Sequence, residues 1–589
     1  MSLLNNIFLQ NLQALRQINS PLVDILQELD IKNISSIKDE KGLNFILNDI
    51  ALYENPKEEL LNRASFFKQN FNSYPVLYFY GLGNSMLYKL LLENDRLKHL
   101  VVFEDNLELI KFCLSLFDFS EQLMQKKLIL LSTDENSLYE LVKIEDIVLA
   151  YELYELHVHS DFYMNFFADK IKSLNFKLTN LLKNSVFYYG TSADDGYIGI
   201  ENSLANLDTM LENFVFKNFL KDNKFRFKTA IIVATGPSLD KQLPLLKSYH
   251  KKAIIFCLDS SYKILHRHGI KTDIVLSLER VKESAEFFNN DYKEFDENTV
   301  FVVSALTHPN TVKYLKEAKR DFMLVLRPLH FHSSLKLDEY GYLADALSVA
   351  NMAFELAASL RFENIILIGQ DLAYAQDKSS HSEDYMYKSL HKNDYERDEN
   401  LYKCEAYGGL GVVQSSLVWT LFRQSLQKDA SLVSSKLNIK VFNATQGGAR
   451  IKACIEKPFK ECCEELLSED LDKRFFLFKN DSLKISSLKK QTKKRMKKIY
   501  TSSKHFLSII SKIKDEDFEN LELLMLKFRQ SDCFNELFMP SYFAYASKIT
   551  KLKVFDLKLE CKKEALLFFA ELAELLSKQN ALLKRYIEG

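Results

Sequence analysis

A turn of small residues follows one of the apolar runs in the middle of the chain. The run at residues 230–234 leads into Thr235-Gly236-Pro237-Ser238, after which a helical pattern begins. Such a turn leaves backbone N–H groups unpaired at the start of the helix, where the helix dipole favours negative charge. Gly236 allows close approach to the backbone, Pro237 suits the first helical position, and a hydroxyl group can donate as well. The turn is a candidate phosphate site, although a purely structural turn explains the same residues equally well.

Polar residues also follow three other apolar runs. They are Asp259 and Ser260 after the run at 253, Glu279 after the run at 273, and Gly369, Gln370, Asp371 and Tyr374 after the run at 364. The carboxyl ends of parallel strands share one ligand crevice, so these residues are expected at the same edge of a sheet. Asp259 can accept a hydrogen bond from a sugar hydroxyl, or it can cap the helix that Gly269 ends.

Two loops can complete this site. The polar stretch AQDKSSHSEDY carries His381, and a histidine with a pKa near neutrality can act as a general base. The segment FNATQGGAR places Thr445, Gly447 and Gly448 in a turn that can close over a ligand. Alternatively, His381 has no catalytic role, and the FNATQGGAR segment is simply a flexible connection that leaves the sheet.

Apolar runs alternate with amphipathic segments over most of the chain, which is typical of βαβ units. Strands are predicted near residues 76, 99, 127 and 146, and again near 230, 253, 273, 301, 323, 364 and 439. Helical spacing without internal glycine follows from about residue 465. We therefore predict an α/β protein with a Rossmann-like N-terminal domain (1–200), a central domain with a mainly parallel sheet (201–460) and an all-helical C-terminal domain (461–589).

The composition limits the class of protein. The 589 residues carry a formal net charge of −1 and are 47% hydrophobic, which predicts a folded protein without a nucleic-acid partner. No segment resembles a membrane span or a signal peptide, so we expect a cytoplasmic location. The eight cysteines include no CxxC pair, which argues against a disulfide framework and a zinc site. We expect no tightly bound metal or cofactor, and leave dependence on a divalent metal open.

One further motif lies in the N-terminal region. The segment VLYFYGLGNSMLYKLL contains Gly81 and Gly83, and Glu104 ends the next apolar run, as in the beginning of a dinucleotide or methyl-donor fingerprint. Met86 occupies the third glycine position. A scaffolding or acceptor-binding domain is therefore favoured over a second active site.

Four segments of the middle region resemble, in order, the central blocks of the Maf (motility-associated factor) family of flagellin glycosyltransferases. They are ATGPSLDKQLPLL, CLDSSYKILHRHGIKTDIVLSLER, ENIILIGQDLAYAQDKSSHS and VFNATQGGARI. The central domain of that family is similar to bacterial sialyltransferases. The resemblance implies transfer of a sialic-acid-like nonulosonate, pseudaminic or legionaminic acid, from its CMP donor to Ser or Thr of flagellin, as needed for flagellar assembly and motility.

The resemblance also implies roles for individual residues. It places Thr235, Gly236, Pro237 and Ser238 on the nucleotide phosphate, Asp259, Ser260 and Glu279 near the nucleotide or sugar, and Gly369, Gln370 and Asp371 in the donor pocket. The sialyltransferase base is a histidine, but the equivalent segment here, GGLGVVQSSLVWTL, contains none. His381 and Asp371 are therefore the candidate catalytic residues, and Arg280 or Arg327 can pair with the carboxylate of the donor.

Two other functions are compatible with the sequence. The central block also resembles 6-hydroxymethylpterin diphosphokinases, which would use ATP and magnesium in place of CMP. A flagellin-binding chaperone with a relict pocket is the third hypothesis. The helical C-terminal domain can bind flagellin or mediate formation of a homo-oligomer, with a simple packing role or a lid as the alternatives.

Overall fold

The computed structural model describes residues 2–185, 192–343, 347–399, 402–513 and 516–588. The chain divides into two compact units. The first contains Met1–Ala193, Ile510–Lys527 and Phe538–Glu574, and the second contains Asp194–Ile509, Phe528–Leu537 and Leu575–Gly589. The α/β class predicted from the sequence is confirmed, whereas the three domain boundaries stay a prediction.

The first unit is built on a four-stranded parallel sheet of order β6-β5-β4-β7, accompanied by a three-stranded antiparallel meander, β1-β2-β3. The strands are β1 (Ile34–Asp39), β2 (Gly42–Leu47), β3 (Ile50–Ala51), β4 (Val76–Tyr80), β5 (His99–Phe103), β6 (Leu128–Leu131) and β7 (Leu156–Val158). Strands β4 and β5 are buried along their whole length, as in a sheet that is covered on both faces.

Nine helices accompany these strands in the described residues up to 185. They are α1 (Ser2–Gln17), α2 (Leu22–Glu28), α3 (Pro56–Asn70), α4 (Met86–Leu91), α5 (Leu107–Leu116), α6 (Ser120–Met124), α7 (Glu135–Leu141), α8 (Glu145–Leu149) and α9 (Asp161–Ser185). Asparagine side chains cap α3 and α5: Asn55 accepts from the N–H of Glu58, and Asn106 from that of Leu109.

The prediction of a strand near residue 146 is wrong, because this segment forms α8. Glu145 and Asp146 lie in the first turn, where the helix dipole favours acidic side chains. A short apolar run does not by itself distinguish a buried helix from a buried strand. The fourth strand of the sheet is the shorter β7 that follows.

The second unit contains an eight-stranded parallel sheet of order β12-β11-β10-β9-β8-β13-β16-β17 and a two-stranded antiparallel hairpin, β14-β15. The strands are β8 (Thr229–Val233), β9 (Ile254–Leu258), β10 (Ile274–Ser277), β11 (Val300–Ser304), β12 (Asp321–Val325), β13 (Asn364–Ile368), β14 (Lys403–Glu405), β15 (Val412–Gln414), β16 (Lys440–Asn443) and β17 (Ile455–Glu456). All seven strands predicted for this region are confirmed. Their β-branched and aromatic residues favour buried strands.

The strand order reverses between β8 and β13. From β8 the chain adds β9, β10, β11 and β12 on one side, and then returns to place β13 against the other side of β8. In open parallel sheets, ligands bind outside the carboxyl ends of the strands at such a switch point. The turns that follow β8 and β13 therefore lie where a ligand is expected.

Helices flank this sheet, and α17 packs against β8, β9 and β10. The helices are α10 (Ala193–Glu212), α11 (Phe216–Asn223), α12 (Leu239–Tyr249), α13 (Asp259–Arg267), α14 (Lys282–Ala285), α15 (Pro309–Glu317), α16 (His330–Leu335), α17 (Val349–Ser359), α18 (Asp394–Asp398), α19 (Leu417–Leu437) and α20 (Phe459–Leu466). Buried Met352, Ala353, Leu356 and Ala357 give α17 an apolar face at helical spacing, and its alanines allow close packing on the sheet.

Four helices follow from residue 482, as the glycine-free pattern predicts. They are α21 (Ser482–Ile510), α22 (Phe518–Arg529), α23 (Met539–Val554) and α24 (Lys558–Glu588). The basic residues of α21 are partly paired: the ammonium of Lys489 lies 2.6 Å from Glu212, and that of Lys498 lies 2.9 Å from Asp532. Among the described residues, no helix is both long and apolar enough to cross a membrane.

Candidate functional site

The turns after β8 and β13 meet at the switch point. Ser238, which precedes α12, donates its hydroxyl proton to Oδ2 of Asp371 at 2.7 Å. The backbone nitrogen of Ser238 lies 3.3 Å from each carboxylate oxygen of the same residue. Asp371 is only 5% exposed, so its carboxylate is enclosed at the start of α12. The structure thus joins the two sequence motifs with the strongest site signals.

Glycine is required on both sides of this contact. A Cβ on Gly236 would lie 2.0 Å from Oδ2 of Asp371 and 2.6 Å from the carbonyl oxygen of Gly369. Gly369 has a φ of +62°, and a Cβ there would lie 2.6 Å from the carbonyl oxygen of Ala234. The N–H of Gly236 donates to the carbonyl of Gly369 at 2.8 Å. The two turns therefore pack backbone against backbone, which side chains would prevent.

A third turn, after β16, lies against the same residue. A Cβ on Gly447 would lie 3.5 Å from Oδ1 of Asp371, and one on Gly448, whose φ is +70°, would lie 2.2 Å from its carbonyl oxygen. The N–H of Ala449 donates to that carbonyl oxygen at 2.7 Å. The segment predicted to close over a ligand thus lies against Asp371.

The backbone donors of the predicted phosphate turn are used within the protein. Gly236 donates to Gly369, Ser238 to Asp371, and Leu239 to the carbonyl of Gly236 at 3.0 Å. Burial raises the pKa of Asp371 to about 6, and the hydrogen bonds from Ser238 oppose that shift. A carboxylate therefore occupies the position in which a phosphate was expected. A ligand phosphate must bind beside Asp371 or displace it, and the binding roles of Thr235, Gly236, Pro237 and Ser238 stay a prediction.

Gln242, on α12, connects these turns and was not identified from the sequence. Its Nε2 donates to the carbonyl oxygens of Ala444 and Thr445, and its Oε1 accepts from the N–H of Gly369. It lies one helical turn beyond Ser238, a spacing that could have indicated it. Oγ1 of Thr445 and Oε1 of Gln370 are buried without a hydrogen-bond partner among the described residues. These two predicted donor-binding residues thus keep unused hydrogen-bonding capacity.

A second polar group lies at the ends of β9 and β10. Asp259 is 4% exposed, and its Oδ2 accepts from the hydroxyl of Ser277 at 2.7 Å. Its Oδ1 accepts from the N–H of Ser260 at 2.7 Å. Burial raises the pKa of Asp259 to about 7, and the charge of Glu279 adds to the shift. Asp259 is therefore a buried acid affected by the charge of Glu279, and it lies in the first turn of α13, one residue after the N-cap position.

The charges of two arginines, Arg280 and Arg327, act on Glu279. Its side chain is solvent-accessible, yet desolvation by the surrounding protein raises its pKa, while the charges of Arg280 and Arg327 oppose the rise. Arg280 also donates to the carbonyl oxygen of Asp195, at the start of α10, at 2.5 Å. The two arginines considered for the donor carboxylate thus act on the same glutamate.

The segment that carries His381 packs over the first turn of α12. The N–H of Ser382 donates to the carbonyl oxygen of Thr235 at 2.8 Å, and the hydroxyl of Ser382 donates to Asp240. The N–H of Glu383 donates to the other carboxylate oxygen of Asp240 at 3.0 Å. The predicted loop therefore lies beside the small-residue turn.

The environment of His381 differs from the expected one. Burial, with a contribution from His391, lowers the pKa of His381 to about 4, and not to a value near neutrality. Its ring stacks on Tyr385 with the centroids 4.3 Å apart. Asp259 and Glu279 both contribute to raising the pKa of Tyr385 to about 12, after burial, so this tyrosine lies near the acid group. Tyr385 is a further candidate site residue, which sequence patterns did not indicate.

The N-terminal glycine turn is filled by side chains. The N–H groups of Leu82, Gly83 and Asn84 donate to Glu104, Tyr163 and Tyr53 at 2.9, 3.1 and 2.9 Å, respectively. Tyr163 also donates to Glu104 at 2.8 Å. The donors that would bind a pyrophosphate, and the acid that would bind a ribose, are therefore satisfied within the protein.

The arrangement of the possible metal ligands and of the cysteines is also defined. Among the described residues, no group of three or more His, Cys, Asp or Glu side chains is arranged to hold a metal ion. All eight cysteines are unpaired, and all but Cys454 are buried.

Comparisons with known proteins agree with this architecture. The sequence profile of the MptE-like family, described as 6-hydroxymethylpterin diphosphokinase MptE-like, matches residues 201–377. A Maf glycosyltransferase structure from Magnetospirillum magneticum AMB-1 superposes with a TM-score of 0.57 at 15% sequence identity. That match covers 99% of this chain and 97% of the other. No curated protein matches the sequence. The structural match shows a common fold from end to end.

Proposed function

We propose that this protein is a glycosyltransferase that moves a sialic-acid-like nonulosonate, pseudaminic or legionaminic acid, from its CMP donor to Ser or Thr hydroxyls of flagellin. The main support is the similarity in fold, over 99% of this chain, to a protein whose structure is described as a Maf glycosyltransferase. The four sequence segments that resemble the Maf family support the same proposal. The reaction would take place in the cytoplasm, where flagellin is made, and would serve flagellar assembly.

The geometry is compatible with the chemistry of such a transfer. The leaving CMP needs hydrogen-bond donors, and the acceptor hydroxyl needs a base. At the switch point, Oγ1 of Thr445, which can donate, and Oε1 of Gln370, which accepts, have no partner among the described residues and offer hydrogen-bonding groups for the sugar nucleotide. Arg280 and Arg327 offer cations for the carboxylate of a nonulosonate. These binding roles belong to the proposal.

A diphosphokinase-type reaction is the second candidate. The match of residues 201–377 to the MptE-like profile favours it, but that segment is under a third of the chain. The two functions differ in nucleotide, because a diphosphokinase needs ATP with magnesium and the proposed transferase needs a CMP sugar. Magnesium-dependent binding of ATP in preference to CMP would favour the kinase.

The proposed function is tested by the intact mass of flagellin co-expressed with this protein in cells that supply CMP-pseudaminic or CMP-legionaminic acid. We expect a ladder of nonulosonate-sized additions. Asp371→Asn, which preserves shape but removes a charge, should abolish or strongly reduce the ladder. Asp472→Asn, at a site 82% exposed in its side chain, is the matched control and should leave it intact. Unmodified flagellin with both donors contradicts the proposal.

A further inference from the structure

Helix α21 concentrates positive charge on a chain that is nearly neutral as a whole. Its 29 residues include nine Lys and Arg and no Asp or Glu, whereas the formal net charge of the chain is −1. None of the residues assigned to the candidate site lies on this helix. A local excess of one charge attracts a partner of the opposite charge.

The unpaired lysines of α21 lie on one side of the helix. At 3.6 residues per turn, five exposed lysines fall within an arc of about 100° and extend along about 21 Å of the helix: Lys490, Lys493, Lys494, Lys497 and Lys504. The opposite side is buried and contains Thr492, Met496, Ile499, Ser503, Phe506 and Ile510. Within the described part of the chain, none of the five lysines forms an ion pair. We call these five residues the lysine stripe.

The other cations around the stripe are already bound. Lys489 and Lys498, at its two sides, lie 2.6 and 2.9 Å from carboxylate oxygens. Arg495 donates to the carbonyl oxygens of Leu335 and Lys336. The protein thus uses the cations next to its own surface and leaves the outward-facing lysines for another molecule.

The lysine stripe lies one helix away from the edge of the sheet that carries Arg280. The ion pair of Lys489 with Glu212 connects α21 to α10. On α10, Nδ2 of Asn202 donates to the carbonyl oxygens of Arg280 and Leu306, at 3.0 Å each, beyond the ends of β10 and β11. A partner that binds the stripe is therefore held next to a helix that borders the candidate site.

The stripe fits an acidic polypeptide better than a nucleic acid or a membrane. It contains lysine only, and Arg495 is bound to carbonyl groups, so no guanidinium is left for a two-pronged contact with phosphate. The ammonium of Lys504 lies over the ring of Tyr500 at 5.5 Å, which closes one face of that ring to a stacking base. The apolar side of α21 is buried, so it cannot enter a bilayer as interfacial helices do.

We propose that the lysine stripe binds an acidic segment of the protein acceptor and holds the acceptor next to the site of transfer. This inference rests on the proposed function, in which the acceptor is a protein. Lysines three and four residues apart match Asp or Glu at the same spacing on a partner helix. Because the charges are exposed, salt screens them over about 8 Å at physiological ionic strength, and binding weakens as salt is added.

The first measurement is the affinity of the full-length protein for unmodified flagellin, by biolayer interferometry at increasing NaCl concentrations. Reversal of three charges, Lys490→Glu, Lys494→Glu and Lys497→Glu together, should weaken binding about 10- to 100-fold and flatten its salt dependence. Arginine at the same three positions keeps the charge and should keep the affinity. The matched control has the same change in net charge at exposed lysines outside α21 and should bind as the wild type does: Lys217→Glu, Lys221→Glu and Lys428→Glu.

The second measurement separates docking from chemistry and from folding. The triple reversal in α21 should raise KM for flagellin and leave kcat, KM for the CMP donor and the thermal unfolding midpoint unchanged, because these lysines are exposed and are not part of the switch point. A folding defect would change all four quantities. Wild-type protein that does not bind flagellin, or a triple reversal that binds and modifies flagellin as the wild type does, overturns the inference.

Failure of the proposed function has a different outcome. Flagellin that binds through the stripe but receives neither donor sugar contradicts the transferase and leaves the docking surface in place. Duplex DNA and phosphatidylglycerol vesicles are the probes for the other two classes of partner. If the wild type binds either probe at physiological salt and the triple reversal does not, the assignment to an acidic polypeptide is wrong. Absence of binding to both supports it.

Discussion

The hydroxyl of Ser238 donates to the carboxylate of Asp371 at 2.7 Å, across the point at which the order of the strands reverses. This bond connects the turn after β8 with the turn after β13, which are 133 residues apart in the chain. The carboxylate also takes the place at the start of α12 that favours an anion. The contact therefore joins two distant turns and also places a negative charge at the start of α12.

Ser238→Ala should lower the free energy of unfolding by about 1.5–3 kcal/mol, the range for hydrogen bonds to charged groups. The pKa of Asp371 should also rise further because Ser238 opposes its rise. Urea unfolding measures the first effect. Ser248→Ala, at an exposed position of the same helix, is the control and should change stability much less. Equal effects of the two substitutions would contradict the importance of this contact.

Gly236→Ala should destabilise the protein far more than an ordinary glycine substitution. The added methyl group would lie 2.6 Å from the carbonyl oxygen of Gly369, so backbone has to move. Gly199→Ala, within α10, is a matched control because its nearest neighbour would be 3.4 Å away and alanine favours helices. Thermal unfolding should show a large fall in the midpoint temperature for Gly236→Ala and no fall for Gly199→Ala.

The stability of the protein should depend on the ionisation of Asp259. Its pKa is 3.8 in the unfolded reference and about 7 in the folded protein, so the folded state retains a proton that the unfolded chain releases between these values. Stability therefore decreases as pH rises from about 4 to 7, by an amount on the order of a few kcal/mol, and is constant above that range. Asp259→Asn should make this decrease smaller, leaving the part that Asp371 contributes because its pKa is also raised. Denaturant unfolding at pH 4, 5.5, 7 and 8.5 provides the measurement.

The N-terminal glycine turn should not bind a dinucleotide or a methyl donor. Calorimetry with NAD and with S-adenosylmethionine should show no binding. The backbone N–H groups of the turn already donate to Tyr53, Tyr163 and Glu104. Tyr163→Phe removes a hydroxyl that both accepts from Gly83 and donates to Glu104, and should cost about 1–3 kcal/mol.

The matched control for Tyr163→Phe is Tyr154→Phe, whose hydroxyl makes one exposed hydrogen bond to Asn175. It should have a much smaller effect on the free energy of unfolding. Binding of either compound at micromolar concentration would contradict the closed turn.

His381→Phe should leave the pH dependence of transfer in place. The substitution keeps a ring that can stack on Tyr385 and removes a group whose pKa of about 4 lies well below neutral pH. A rate of transfer that no longer changes with pH near neutrality in this variant would support His381 as the base.

The sequence by itself determined the fold class, seven strands of the larger sheet and the polar residues at their ends. These features are local: a run of β-branched residues makes a buried strand, and glycine next to a hydroxyl makes a tight turn. The error at residue 146 was also local, because a short apolar run fits a buried helix as well as a strand.

Only the tertiary structure decided what these residues contact. Distant turns meet at Asp371: Gly236 and Gly447 lie next to its carboxylate and Gly448 next to its backbone carbonyl oxygen, so an internal acid takes the place expected for a phosphate. Burial moves the pKa of His381 down and that of Asp259 up. The sequence does not reveal which polar groups become enclosed together, because desolvation and charge–charge interactions depend on distances in space.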